Sequence, residues 1–196
     1  MSCKETCCQI KRRMTTHSNK VKGMNPEEAS RDFHISSGET LYEASQKQAV
    51  ALVFLRHFGC FFTRQTLRGL EELQMKAEKN DAKLVLIHML RNGEELKYFG
   101  DKDPVARIAD PKCKLYRSFG LGNGGIIELF GPRVWIPAIT ALVQGCGVGF
   151  FAGNILQMPG AFIFHKGQVI AAQKAESASD RPDLDKLFCQ AYRPEA

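Results

Sequence analysis

The order of apolar patterns between residues 49 and 89 limits the folds open to this chain more than any other feature. Residues 49–56 form an apolar run without alternation, typical of a central parallel strand buried on both faces. The next segment is predicted to be a helix of about 17 residues, because the side chains that would form one of its faces recur at spacings of three and four. Those positions are Phe62, Thr66, Leu70, Leu73 and Ala77. Residues 83–89 predict the next buried strand, so the segment is a βαβ crossover.

The later elements come in a different order. Residues 106–110 predict a short strand and residues 112–119 a short helix. Residues 161–164 and 168–172 predict two strands joined by a tight turn, and residues 184–191 a closing amphipathic helix. A βαβ half followed by a ββα half gives an α/β fold with a mixed sheet.

Length and charge favour one globular domain preceded by a basic tail. The chain has 196 residues, about one domain, with a net charge of +6. Residues 1–24 carry six basic residues and one acidic residue, a net charge of +5, which leaves +1 for the rest. This distribution argues against a nucleic-acid-binding surface on the domain. We predict a basic, flexible tail over residues 1–31, with organelle targeting as the alternative, and a single domain over residues 32–196.

Cysteine usage indicates a reducing compartment. Seven cysteines are an odd number and no secretory signal precedes them, so we expect a cytoplasmic protein. Cys3, Cys7 and Cys8 cluster in the tail, but no second Cys/His group lies at zinc spacing. We therefore predict no metal site.

An uncharged run extends from residue 134 to residue 164 and is longer than the roughly 20 residues that span a bilayer. Glycines and prolines interrupt it, and its last part belongs to the predicted hairpin. We interpret residues 122–157 as an apolar insertion into the domain. The alternatives are a transmembrane helix, a buried insertion, or a patch for a homodimer or a membrane surface.

Cys60 is the candidate nucleophile. It lies at the end of the first predicted strand, where the next helix begins, and the N-terminus of a helix favours an anion such as a thiolate. Binding sites in open α/β sheets gather at this edge of the sheet. The alternative is a small buried hydrophobic residue. Thr63, one helical turn further on, is expected to donate a hydrogen bond to the sulfur.

Three segments resemble the peroxiredoxin-like 2 group of the alkyl hydroperoxide reductase/thiol-specific antioxidant superfamily. Residues 52–64 resemble its active-site segment, with Cys60-Phe-Phe-Thr-Arg64 where the group usually has Cys-x-x-Cys-Arg. Residues 109–121 resemble its Asp-Pro and Leu-Tyr stretch, and residues 158–169 the segment where a cis proline precedes the hairpin. The resemblance implies a thioredoxin-like, three-layer α/β/α sandwich.

Thr63 departs from the pattern of the group, because a Cys-x-x-Cys disulfide cannot form. A one-cysteine cycle remains, in which Cys60 reduces a peroxide and an external thiol of the thioredoxin, glutaredoxin or glutathione type regenerates it. Cys113, Cys146 and Cys189 are alternatives for an internal resolving thiol, or packing residues.

Other residues near Cys60 have weaker signals. Arg56 and Arg64 flank the nucleophile and either stabilise its charge or are solvated. His57 is read as a histidine at the end of a strand. The resemblance implies a substrate groove formed by Phe61, Met158 and Pro159, with Pro159 preceded by a cis bond.

The sequence leaves three candidate functions. The first is a peroxiredoxin-like thiol oxidoreductase with antioxidant activity, acting through Cys60, Thr63 and Arg64. The second, which the resemblance implies, is reduction of a lipid endoperoxide, as in prostamide/prostaglandin F synthases. The third is a non-catalytic thioredoxin-like binding module with a relict cysteine. No nucleotide-binding motif is present, so we expect no cofactor.

Overall fold

The computed structural model describes residues 25–99, 105–123, 154, 156–175, 180 and 182–192. Within these residues it contains seven helices and five strands. In chain order the elements are α1 (Pro26–Asp32), α2 (Leu41–Lys47), β1 (Ala49–Phe54), α3 (Phe61–Arg68), α4 (Leu70–Glu78), β2 (Ala82–His88), α5 (Leu96–Phe99), β3 (Ala106–Ala109), α6 (Lys114–Ser118), β4 (Gly160–His165), β5 (Gln168–Lys174) and α7 (Leu184–Ala191).

The five strands form one mixed sheet in the order β3-β2-β1-β4-β5. Strand β1 pairs in parallel with β2, which pairs in parallel with β3. On its other side β1 pairs antiparallel with β4, and β4 pairs antiparallel with β5. The predicted βαβ half followed by a ββα half is therefore confirmed, and β1 lies at the centre of the sheet.

Strand β1 is buried along its whole length because helices cover both faces of the sheet. Val50, Leu52 and Phe54 point into one apolar cluster, which includes side chains of α1, α2 and α6. Ala51 and Val53 point into the opposite cluster, which includes side chains of α4 and α7. The fold is the predicted three-layer α/β/α sandwich.

The single helix predicted after β1 is interrupted at Gly69. The backbone of Gly69 (φ −93°, ψ 18°) leaves the helical region. Glycine has more backbone freedom than other residues and a low helix propensity, so it favours such an interruption. The interruption separates two environments. Leu73 and Ala77 of α4 are buried in the core, whereas Phe62 and Thr66 of α3 line a cleft.

The boundary predicted near residue 31 is wrong for residues 25–31, because α1 already belongs to the fold. Ala29 and Ser30 are buried, and the side chain of Asn25 caps the helix by accepting the N–H of Glu28 at 2.8 Å. Residues 1–24, with Cys3, Cys7 and Cys8, lie outside the described part of the chain.

Most of the uncharged run, up to residue 153, also lies outside the described residues. Of the remaining residues of the run the structure describes 154 and 156–164, of which residues 160–164 belong to β4. Among the described residues, no helix combines the length and the apolar character that a bilayer span requires. The same residues contain no group of three or more His, Cys, Asp or Glu side chains placed to hold a metal ion.

Candidate active site around Cys60

Cys60 lies at the junction of strand and helix, as the sequence predicts. A short loop follows β1, and its last turn is closed by the N–H of Cys60, which donates to the carbonyl of His57 at 2.9 Å. Cys60 is then the N-cap residue of α3, and its carbonyl accepts the N–H of Arg64 at 3.2 Å. The side chain is 7% exposed. The sulfur therefore lies beside the positive end of an eight-residue helix.

Arg56 places a charge in contact with this sulfur. Its side chain is 6% exposed, and Nη1 lies 3.3 Å from Sγ of Cys60. Its Nε donates to the carbonyl of Gln157 at 3.3 Å. A fixed cation thus lies within hydrogen-bonding distance of the candidate nucleophile.

Thr63 does not take the predicted position against the sulfur. Its side chain is 3% exposed, but Oγ1 has no hydrogen-bond partner among the described residues. The expected hydrogen bond from Thr63 to Cys60 is therefore wrong. Thr63 instead lines the wall of a cleft, so a spacing of one helical turn does not by itself decide which group its hydroxyl contacts.

His57 does not add a second positive charge near the sulfur. Burial, and then the positive charge of Arg56, lower the pKa of His57 to about 4. The imidazole is therefore neutral at neutral pH. Its backbone contributes instead, because the carbonyl of His57 closes the turn that ends at Cys60.

A small cleft with a cavity volume of about 30 Å³ lies beside this group, lined by Arg56 but not by Cys60. Its walls are mostly apolar and come from β1, α3, β4 and the segment before α7. Arg56 and Thr63 line it, together with Thr66 on the next turn of α3 and Asp180. Arg56 therefore joins the cleft to Cys60, and the unpartnered hydroxyl of Thr63 lies at the same wall.

The three residues predicted to form the substrate groove have different positions. Pro159 lines the cleft, Met158 is buried next to it, and Phe61 begins α3. The expectation of a cis bond before Pro159 is wrong, since the described residues contain no cis peptide bond. The N–H of Met158 donates to the carbonyl of Gly122, and the chain continues in the favoured trans form into β4.

Tyr116 holds the end of β1 from within the core. It is fully buried, and its hydroxyl lies 2.6 Å from the carbonyl of Leu55 and 2.9 Å from that of Ile87. The N–H of Leu55 donates to the same Ile87 carbonyl, so the ends of β1 and β2 are tied together. Tyr116 belongs to α6, and the carboxylate of Asp110 caps this helix by accepting the backbone N–H of Tyr116 at 3.2 Å.

The other candidate residues are placed as follows. Cys113 is buried, and burial and the nearby carboxylate of Asp110 raise the pKa of its thiol to about 11, which makes it a weak nucleophile at neutral pH. Cys189 is partly buried on α7, and Arg64 is partly buried on α3. Cys146 lies outside the described residues.

Comparison of the sequence with protein-family models gives no match, and comparison with curated proteins gives none either. Comparison of the structure gives clear matches to solved peroxiredoxin structures. A peroxiredoxin 6 variant of Arenicola marina has 13% identity and a TM-score of 0.55, over 79% of this chain and 64% of that one. The chain thus spans under two thirds of the length of that protein.

Two further neighbours match over most of their length. Peroxiredoxin Q of Xanthomonas campestris has 15% identity and a TM-score of 0.51, over 83% of this chain and 87% of that one. The peroxidoxin BcpB of Mycobacterium tuberculosis has 13% identity and a TM-score of 0.50, over 83% and 92%. At such identities the likeness concerns the fold, and it shows that this chain has the thioredoxin-like α/β fold of its peroxiredoxin neighbours.

Proposed function

We propose that this chain is a peroxiredoxin-type thiol peroxidase that reduces hydroperoxides by a one-cysteine mechanism through Cys60. The observation that carries the proposal is the 3.3 Å contact between Nη1 of Arg56 and Sγ of Cys60, both buried at the N-terminus of α3. The guanidinium and the N-terminus of the helix both face the atom at which the proposed reaction starts. The likeness to peroxiredoxins in fold and the resemblance to the peroxiredoxin-like 2 group support the same assignment.

In the proposed reaction the Cys60 thiolate attacks the terminal oxygen of a hydroperoxide. The sulfur–oxygen bond forms as the oxygen–oxygen bond breaks, so the sulfur is oxidised to a sulfenic acid. The leaving alkoxide, or hydroxide for hydrogen peroxide, takes up a proton and departs as an alcohol or water. Arg56 faces the negative charge as it moves from sulfur to oxygen, which is where a fixed cation lowers the barrier.

An external thiol then closes the cycle. Its thiolate attacks the sulfenic sulfur, releases water and leaves a mixed disulfide, and a second thiol displaces Cys60 as a thiolate. Thr63 stands where a second cysteine would be needed for an internal disulfide. The raised pKa of Cys113 does not favour it as a resolving thiol. A reductant of the thioredoxin, glutaredoxin or glutathione type in the cytoplasm fits these features.

The cleft supports a substrate with an organic part. Its apolar walls suit an alkyl group, while Arg56 offers a polar group for the peroxide oxygens. The same apolar lining favours a second candidate reaction, the reduction of a lipid endoperoxide. There both oxygens stay on one molecule, and cleavage of the ring peroxide gives two hydroxyl groups.

Peroxide consumption with dithiothreitol as the external thiol tests the proposal. We expect turnover by the wild-type chain and none by Cys60→Ser. Arg56→Met should lower the rate constant for peroxide reduction about tenfold or more, because it removes one charge-assisted hydrogen bond. Cys113→Ser and Cys189→Ser should keep the wild-type rate, and loss of turnover in either would assign it the resolving role.

Two outcomes would redirect the assignment. Equal peroxide consumption by wild type and Cys60→Ser would remove Cys60 from the reaction and favour the binding-module alternative. Turnover of a cyclic lipid endoperoxide but not of cumene hydroperoxide, both dependent on Cys60 as judged by Cys60→Ser, would favour the second candidate.

A further inference from the structure

Gln157 lies 101 residues from Arg56 along the chain, yet its backbone contacts the guanidinium that faces the candidate nucleophile. From this contact we propose that Gln157 is a positioning residue, which holds Arg56 in register with the sulfur of Cys60. The inference rests on the proposed function of Cys60. It assigns to the reaction a residue for which neither the sequence motif nor the cleft gives a signal.

The side chain of Gln157 is held by backbone carbonyls. It is 2% exposed, and its amide nitrogen lies 3.1 Å from the carbonyl oxygen of Gly122, 3.2 Å from that of Leu121 and 3.4 Å from that of Met158. A primary amide has two N–H donors, and here both point at carbonyl groups in a buried setting. Loss of these donors would remove hydrogen bonds from carbonyl groups in this buried setting, which costs free energy.

Backbone interactions with the same segment, residues 121–123, also fix the backbone of Gln157. The N–H of Met158 donates to the carbonyl of Gly122 at 3.1 Å, and residue 157 forms an isolated antiparallel bridge with Asn123. The peptide that follows Gln157 is therefore tied to residues 121–123 on two sides. Its carbonyl oxygen has a defined direction, and that direction is toward Nε of Arg56, at 3.3 Å.

The guanidinium transmits this position to the sulfur because it is planar and rigid. Nε is held by the carbonyl of Gln157, and Nη1 of the same plane lies 3.3 Å from Sγ of Cys60. A shift or rotation at Nε must therefore move Nη1. The buried amide of Gln157 thus acts through its own backbone carbonyl to set the position of the Arg56 charge relative to the sulfur of Cys60.

The test uses two alkylating reagents on the full chain, with residue-resolved mass spectrometry to follow Cys60. Iodoacetate is an anion and iodoacetamide is neutral. The rate constant for iodoacetate divided by that for iodoacetamide therefore reports the positive charge next to the sulfur. The variants are Gln157→Met, which keeps the length of the side chain and removes its donors, Arg56→Met, and the double variant. Ser45→Ala is the control for general destabilisation, because the Ser45 hydroxyl accepts the N–H of Gly167 in the turn between β4 and β5 and donates to the carbonyl of Tyr42 in α2.

We expect Gln157→Met to lower the ratio about fivefold, near the effect of Arg56→Met. In the Arg56→Met background it should have no further effect, and Ser45→Ala should keep the wild-type ratio. If Gln157→Met does not fold, Gln157→Leu, which also lacks the amide donors and adds no charge, takes its place with the same expected ratio.

Three results would overturn the inference. The first is an unchanged ratio in folded Gln157→Met or Gln157→Leu while Arg56→Met lowers it. The second is an equal fall in both backgrounds, which would mean that Gln157 does not act through Arg56. The third is an unchanged ratio in Arg56→Met, which would also remove the charge on which the proposed function depends. Failure of turnover with a normal ratio would instead count against the proposed function alone.

Discussion

Replacing Thr63 with valine is expected to stabilise the folded chain. The hydroxyl of Thr63 is buried and has no hydrogen-bond partner, and such a group costs about 1–3 kcal/mol by mutational data. Valine has nearly the same shape and a similar helix propensity, so removal of the hydroxyl recovers part of that cost. We expect a gain of about 1 kcal/mol, which for a chain of this length raises Tm by about 2–4 °C. Urea and thermal unfolding measure it.

Thr66→Val is the matched control, one turn further along the same helix. The hydroxyl of Thr66 donates to the carbonyl of Phe62 at 3.0 Å, so this variant loses a hydrogen bond and should be destabilised by about 0.5–1 kcal/mol. A loss of stability in Thr63→Val as large as that in Thr66→Val would refute the reasoning. It would mean that the Thr63 hydroxyl has a partner, as the sequence predicted for the sulfur of Cys60.

Three further changes test other parts of the structure. Tyr116→Phe removes the hydroxyl that joins the ends of β1 and β2, and should cost about 1–3 kcal/mol in urea unfolding; a smaller loss would mean that water replaces it. The contacts with two lysines lower the pKa of Glu39 to about 2, so its stabilising effect is present above about pH 4.5 and is lost as the pH falls toward 2, a loss that should be absent in Glu39→Gln. Burial lowers the pKa of His88 to about 4, so the unfolded chain binds this proton first and stability falls from about pH 6.5 to pH 4, with a smaller slope in His88→Asn.

The sequence predicts the sheet well because the patterns that define it are local. Residues 49–54 are apolar at every position, and the structure covers both faces of that strand with helices. The change to a helical period after Cys60 is also correct, but the interruption at Gly69 is not visible in it. The apolar positions continue in register across the glycine, so periodicity alone indicates one helix.

The start of the fold is missed for a different reason. Asn25 and Pro26 lie within the predicted tail, whereas they are the N-cap and the first residue of α1. Both residue types interrupt a helix in its interior and favour one at its beginning. Only the packing of Ala29 against the core decides between the two interpretations.

The nucleophile is predicted, but the groups that serve it are not all visible from the sequence. Cys60 follows from the junction of strand and helix, which is a property of the local pattern. The contact of Arg56 with the sulfur of Cys60 depends on the path of the loop between the two residues. The contact of Arg56 with Gln157 joins residues that are distant in the chain. Arg56 and Arg64 are equivalent in the sequence, and the structure places Arg56 on the sulfur.

The most direct test of the central claim is peptide-resolved mass spectrometry after a brief pulse of one equivalent of cumene hydroperoxide, with dimedone present to trap sulfenic acid. Seven cysteines compete for the oxidant, so the site of the adduct decides the question. The account predicts that the dimedone adduct forms mainly on Cys60, and that Arg56→Met reduces it strongly. Adducts spread over the other cysteines with Cys60 unmodified, at the same level in both proteins, would contradict it.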